Sequence, residues 1–466
     1  MQLTPCFGLV RFALRGALAA FACFVALTAQ ADVKLATIFS DHMVLQQGRA
    51  VPVWGWAEED ELVVVQYRDQ VVQTRAKAGK WHVNLAPMKG SAQPGTLLVL
   101  GSNRIELKNV VVGEVWVASG QSNMQWALCQ TVNWQAAAAA SANPNLRLFY
   151  VPRVKSPQPV ADIQGQYNNA KPAWTVASPE TTPDFSAVAY FFGRDLQKAL
   201  GVPVGIVHTS WGGSPAEVWM SERVLAGNAD YKRDILDAYP TAYKNYEAAK
   251  ARHPEALAKA KQAGAKTLPP APREPWRPTE LYNSMIHPLI PFAIKGAIWY
   301  QGESNAGRAW QYRTLFADMI QNWRKDWGQG DFTFLTVQLA PFTKILPEPA
   351  DSNWAELREA QILASRNVGN AGTVVITDVG EENDIHPQQK EPVGARLALQ
   401  ARKLAYGENV AASGPTFKSA SFSGGKATVT FGDVVQGLEA RGGEWKGFAV
   451  CAKDGKYAWA TATYVA

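Results

Sequence analysis

The sequence predicts an α/β protein: a parallel sheet flanked by helices, with an N-terminal β-sandwich domain before it and a short C-terminal β segment after it. Three observations lead there. Between residues 110 and 410, near-continuous apolar runs alternate with segments of helical periodicity, the pattern of strands buried on both faces and joined by helices. Residues 32–109 hold short β-branched and aromatic runs separated by Gly, Asn, Asp and Lys, as in a small sandwich. Residues 411–466 return to short β runs. The chain has 466 residues and is 47% hydrophobic, which leaves room for about three domains and excludes collagen-like and disordered classes. Charged residues make up only 18%, with 46 Lys+Arg against 40 Asp+Glu and no dense basic block. A charge-driven nucleic-acid partner is therefore not expected.

Residues 1–31 read as a signal peptide. Arg11 and Arg15 precede the apolar run Gly16–Leu27, which is too short to span a bilayer, and Ala29-Gln30-Ala31 offers a cleavage site. Cleavage after Ala31 and export, periplasmic or secreted, are expected, and no later run reaches spanning length. Cys6 and Cys23 leave with this segment. Cys129 and Cys451 remain in a compartment that permits a bond, although two separate buried thiols are the simpler expectation.

In the leading domain, Val51–Trp56, Leu62–Tyr67 and Thr96–Leu100 are expected strands. In the following one, the strands are Val110–Ala118, Val202–His208, Ala293–Tyr300, Phe332–Leu339 and Thr373–Asp378. Helices are expected over Ser186–Leu200, with Gly201 as its C-cap, and over Tyr312–Trp327, Asn353–Ser365 and Pro387–Tyr406. Residues 221–278, helical and then Pro-rich, form an insertion that reads as a solvated excursion. Tail strands are expected at Ala427–Phe431, Gly447–Cys451 and Tyr457–Trp459. A sheet this small is marginal alone.

Three segments share the form Gly-x-Ser, each after an expected strand: Gly120-Gln-Ser122, Gly212-Gly-Ser214 and Gly302-Glu-Ser304. Ligands bind at the carboxyl ends of strands in open α/β sheets, and glycines there let a substrate approach backbone N–H donors. Gly-x-Ser-x-Gly, a P-loop, GxGxxG, HExxH and zinc-type Cys/His spacings are absent, so no metal or cofactor is expected. Ser122 follows the most apolar strand and opens an expected helix, near the positive end of its dipole. It is the candidate nucleophile, and the other two loops suit hydrogen-bond donation. A serine needs a base. Of six histidines, His386 stands in the loop after the last α/β strand, with Asp384 placed to orient its ring.

Val115-Trp-Val-Ala-Ser-Gly-Gln-Ser122-Asn-Met-Gln-Trp126, Ser210-Trp-Gly-Gly-Ser-Pro-Ala-Glu217-Val-Trp219, Leu281-Tyr-Asn-Ser-Met-Ile286, Trp299-Tyr-Gln-Gly-Glu-Ser-Asn305 and Asp384-Ile-His-Pro387, together with Phe39-Ser-Asp-His-Met-Val-Leu45, resemble the bacterial sialate O-acetylesterase-type carbohydrate esterases, of the SGNH hydrolase superfamily. The resemblance implies an SGNH-like sheet and deacetylation of an acetylated carbohydrate through an acyl-enzyme. Ser122 would attack and His386 would carry the proton. The oxyanion would be held by the Ser122 N–H, by Gly212 or Gly213, and by a side chain from the next loop, Gln301 or Asn305. The usual block has Asn where Ser304 aligns. The acid often stands three residues before the histidine, here Asn383, which leaves Asp384 or a Ser–His dyad. Family chains usually continue for several strands past a segment like Tyr457-Ala-Trp-Ala460, so a truncated C-terminal module is expected. Gln121, Trp211 and Glu303 are candidates for touching substrate, with bracing the plainer role for Glu303. An acetylxylan esterase, a non-catalytic carbohydrate-binding protein and a metallo-hydrolase are the competing readings.

Overall fold

The Val110–Ala118 run is apolar except for Glu114, and it lies in the second half of one 17-residue strand, Arg104–Gly120. In its first half exposed and half-buried residues alternate; from Val110 onward every residue is buried. The computed structural model describes residues 32–451 and 453–465. The expected signal peptide and its cleavage site lie outside the described residues.

This strand is the centre of a mixed sheet. Its neighbours run in the order Thr175–Ala177, Asn143–Tyr150, Val204–Ser210, Arg104–Gly120, Gly296–Tyr300, Thr333–Val337 and Ala371–Val374. All of these pairs are parallel except the Thr175–Ala177 edge. The first half of the same strand pairs antiparallel with Ser91–Leu100, which continues to Leu62–Tyr67 and Gln70–Arg75. A separate three-stranded sheet holds Lys34–Leu35, Val51–Trp56 and Lys80–Leu85. Inward residues of both layers, among them Val51, Val53, Val83, Val63, Val65 and Val99, are buried. The expected division near residue 110 thus falls inside a continuous strand.

Helices Ala187–Leu200, Ala309–Trp327, Asn353–Asn367 and Glu391–Leu404 cover the parallel strands. Ser186 caps the first through its side chain, and Gly201 closes it in the left-handed conformation. The last helix begins at Glu391, four residues later than expected; in the loop before it the His386 and Gln388 N–H groups donate to the Asp384 and Glu381 side chains. The strand expected over Thr373–Asp378 is Ala371–Val374. In the insertion, helix Tyr239–Gln262 has no buried residue, so it is a solvated excursion. The tail forms two hairpin-like pairs, Thr416–Ser423 with Lys426–Gly432 and Ala449–Cys451 with Tyr457–Trp459, both largely exposed. Cys129 carries no disulfide and is half-buried, while Cys451 is exposed; neither is the buried core thiol expected from sequence. No helix among the described residues is long and apolar enough to cross a membrane.

Candidate active site

Three adjacent strands end level with one another, since Ser210 and Tyr300 both pair with Gly120. The three Gly-x-Ser loops therefore leave one sheet edge side by side. Gly120 makes this close approach possible: it has φ +140°, and a Cβ there would sit 2.1 Å from the Tyr300 carbonyl oxygen. Behind the loops, Trp219, Trp299 and Trp323 are fully buried and meet edge-on, each removing about 150–250 Å² from water. Trp219 also donates its indole N–H to Ser214 Oγ at 2.9 Å, which turns that serine inward as part of its turn.

Ser122 opens the one-turn helix Ser122–Gln125. Its Oγ lies 2.8 Å from His386 Nε2, although the two residues are 264 positions apart. The Trp126 ring stacks on the imidazole, with centroids 4.8 Å apart and planes 16° from parallel. Asp384 Oδ1 accepts the His386 backbone N–H at 2.8 Å and stands 3.8 Å from Nδ1. That is a charge contact, too long for a hydrogen bond. Burial and then the Lys390 charge hold the His386 imidazole below its ordinary pKa, with Asp384 pulling less strongly the other way. His386 is thus kept neutral and able to accept a proton through Nε2.

A second serine–histidine contact joins His208 Nε2 and Ser210 Oγ at 2.6 Å. Both residues are buried, and burial pushes His208 down to about 3. No substrate can reach it. Ser122 and His386, both half-buried, are open to one.

Residues 264–403 match the family of carbohydrate esterases described as sialic acid-specific acetylesterases. The chain is 38% identical to a carbohydrate acetylesterase from Xanthomonas citri, with a TM-score of 0.78 over 93% of this chain and 89% of that one. It is 28% identical to the human sialate O-acetylesterase over 417 residues, covering 82% of this chain and 73% of that protein. It is 30% identical to the mouse sialate O-acetylesterase over 439 residues, covering 86% of this chain and 80% of that protein. The chain belongs to the sialate O-acetylesterase family.

Within this family framework, the structure brings some sequence-expected residues together and turns others away. Gly212 abuts the nucleophile: a Cβ there would lie 3.2 Å from Ser122 Cβ. Its N–H, however, donates to Gln125 Oε1 at 2.8 Å. Gly213 is exposed, with φ +76°. Gln301 and Asn305, expected as oxyanion donors, are buried and committed elsewhere. Gln301 Nε2 donates to Ser214 O and Asn305 Oδ1, and its Oε1 accepts from Tyr312. Asn305 Nδ2 donates to Glu217, and its Oδ1 also accepts from the Ala216 N–H. The buried Glu217, itself paired with Arg308, draws Asn305 inward, because a buried carboxylate must be satisfied.

Gln121, expected to touch substrate, is likewise a brace, and Glu303 takes the bracing role that was its plainer reading. Gln121 Oε1 accepts the Gly302 and Ser304 N–H groups. Glu303 Oε1 accepts from Asn123, and its Oε2 is buried without a partner. Trp211 remains half-buried beside the nucleophile and packs edge-on against Trp276 at 5.4 Å, with Lys155 4.4 Å above the Trp276 ring. Sequence reasoning missed Asn123 and Lys390. Asn123 lies inside the Ser122 motif, and Lys390 stands four residues after His386 in the loop before the last helix, so the signal was their spacing from the nucleophile and base. Among the described residues, no group of three His, Cys, Asp or Glu side chains could hold a metal ion.

Proposed function

We propose that this protein is a serine esterase that removes O-acetyl groups from carbohydrate through an acetyl-enzyme. The observation that carries the reading is the Ser122 Oγ–His386 Nε2 contact of 2.8 Å, open to solvent at the edge where three loops meet, in a chain of this family. Ser122 Oγ attacks the acetyl carbonyl carbon as its proton passes to His386 Nε2. The tetrahedral intermediate collapses, the bond to the sugar oxygen breaks, and His386 returns the proton to that oxygen. Water then attacks the acetyl group with His386 again as base, releasing acetate and restoring the serine. The Ser122 N–H, at the open start of its helical turn, and the Gly213 N–H hold the oxyanion. Each such donor is worth roughly 3–4 kcal/mol of barrier. Asp384 favours the imidazolium through charge, and Trp126 and Trp211 flank the pocket where a sugar face would rest.

On this reading, residues 110–410 are an SGNH-type catalytic domain with the insertion 221–278, residues 32–109 a sandwich domain fused to it, and 411–466 an accessory β segment. The expected leader makes the enzyme periplasmic or secreted.

Hydrolysis of p-nitrophenyl acetate tests the chemistry. Ser122→Ala lowers kcat by about 10⁴-fold or more with little change in melting temperature. Full activity in that variant would remove Ser122 from the mechanism, and an inactive wild type would favour a sugar-binding role. Acetylated sialic acids compared with acetylated xylo-oligosaccharides identify the sugar.

A further inference from the structure

Lys390 is the one lysine among the buried polar and charged side chains of the described residues, with 1% of its surface exposed. It lies between the Trp126 and Tyr300 rings, 5.9 and 5.4 Å from their centroids. Its Nζ donates to Asn123 Oδ1 at 2.5 Å. Asn123, also buried, donates from Nδ2 to Glu303 Oε1 at 2.6 Å and to the Ile385 carbonyl at 3.0 Å. An ammonium only donates, and a carboxylate or carbonyl only accepts. The three partners therefore permit a single orientation of the Asn123 amide. Asn123 follows Ser122 and Ile385 precedes His386. One side chain thus ties the residue next to the nucleophile to the residue next to the base.

We propose that Lys390 is a positioning residue for the Ser122–His386 pair: by clamping the Asn123 carbonyl it directs the Asn123 amide onto the Ile385 peptide, next to the base. This rests on the reading of Ser122 and His386 given above. Glu303 comes from the loop after Gly296–Tyr300, and Asp384 and Glu381 come from the His386 loop. These are the charges that act on Lys390, opposing the burial that pulls it down to about 7. Lys390 and Asp384 are the charges that act on His386, in opposite directions. The Trp126 ring touches both side chains, stacked on the imidazole and beneath the ammonium.

The test is the pH profile of kcat/KM for p-nitrophenyl acetate in wild type, Lys390→Met, Asn123→Ala and Ser122→Ala, with each variant's melting curve. Lys390→Met is expected to lower kcat by about ten- to a hundredfold, the effect of losing a buried charged hydrogen bond, with KM within about threefold. Its acid limb moves up by about half a pH unit or more, because the cation opposing imidazole protonation is gone. Asn123→Ala lowers kcat similarly but leaves the acid limb in place, since Lys390 stays. An unchanged kcat in either folded variant, or a loss that merely follows the folded fraction with the acid limb of Lys390→Met unmoved, overturns the proposal. If Lys390→Met does not fold, Asn123→Ala decides through kcat against KM. Activity surviving in Ser122→Ala would sink the nucleophile assignment instead, and so separates the two failures.

Discussion

Replacing Asp384 with asparagine separates a triad from a pair assisted by charge. The Asp384 carboxylate accepts the His386 backbone N–H through Oδ1, and an asparagine Oδ1 can do the same, so the loop keeps its shape. What disappears is a unit charge 3.8 Å from Nδ1. At that distance two charges interact by about 1 kcal/mol in water and about 4 kcal/mol near a protein surface. The Asp384 side chain is 40% exposed, so solvent screening brings the value to the lower end. A cost of about 1–1.5 kcal/mol corresponds to a loss of roughly five- to fifteenfold in kcat/KM. A buried, hydrogen-bonded triad aspartate costs about 10⁴-fold when made asparagine. The assay is p-nitrophenyl acetate hydrolysis at saturating and limiting substrate, on the plateau of the pH profile. A loss beyond about a thousandfold would refute the reasoning and show that the carboxylate closes onto Nδ1 during catalysis.

Two further outcomes follow from the same geometry. His386 acts as base only when neutral, and burial with the Lys390 charge lowers its pKa from 6.5; the acid limb of kcat/KM therefore lies below 6.5, and activity falls only as pH drops through that lowered value. An acid limb at or above 6.5 would contradict this. Asn305→Ala strands the Ala216 N–H and takes one of two partners from Glu217, which keeps Arg308, and from the Gln301 amide, which keeps Ser214 O, so it should cost about 2–3 kcal/mol of stability at roughly 1–3 kcal/mol for a stranded buried group and less for a partly satisfied one. Urea denaturation measures it. A stable variant with a much reduced kcat would restore Asn305 as an oxyanion donor.

The features legible in the sequence are those written locally. Gly201 follows a helical period and is a left-handed cap. Each Gly-x-Ser follows an apolar run, and the three runs prove to be neighbouring strands. Side-chain direction was not legible, because it depends on partners far along the chain. Gln301 and Asn305 turn inward because Glu217 and Arg308 are there to receive them. Lys390 and Asn123 meet across 267 positions, and neither residue type announces the other. The change of pattern at Val110 coincides with a change of burial. It is the place where one strand passes from burial on a single face to burial on both.

That strand ties the nucleophile to the front of the molecule. Arg104–Gly120 begins in a ladder with Ser91–Leu100 and ends one residue before Gln121, next to Ser122. A slip by one position at its start would carry through to the catalytic edge and point every side chain the wrong way. Cutting or exchanging the strands paired with its first half should therefore disarm the enzyme without touching the pocket.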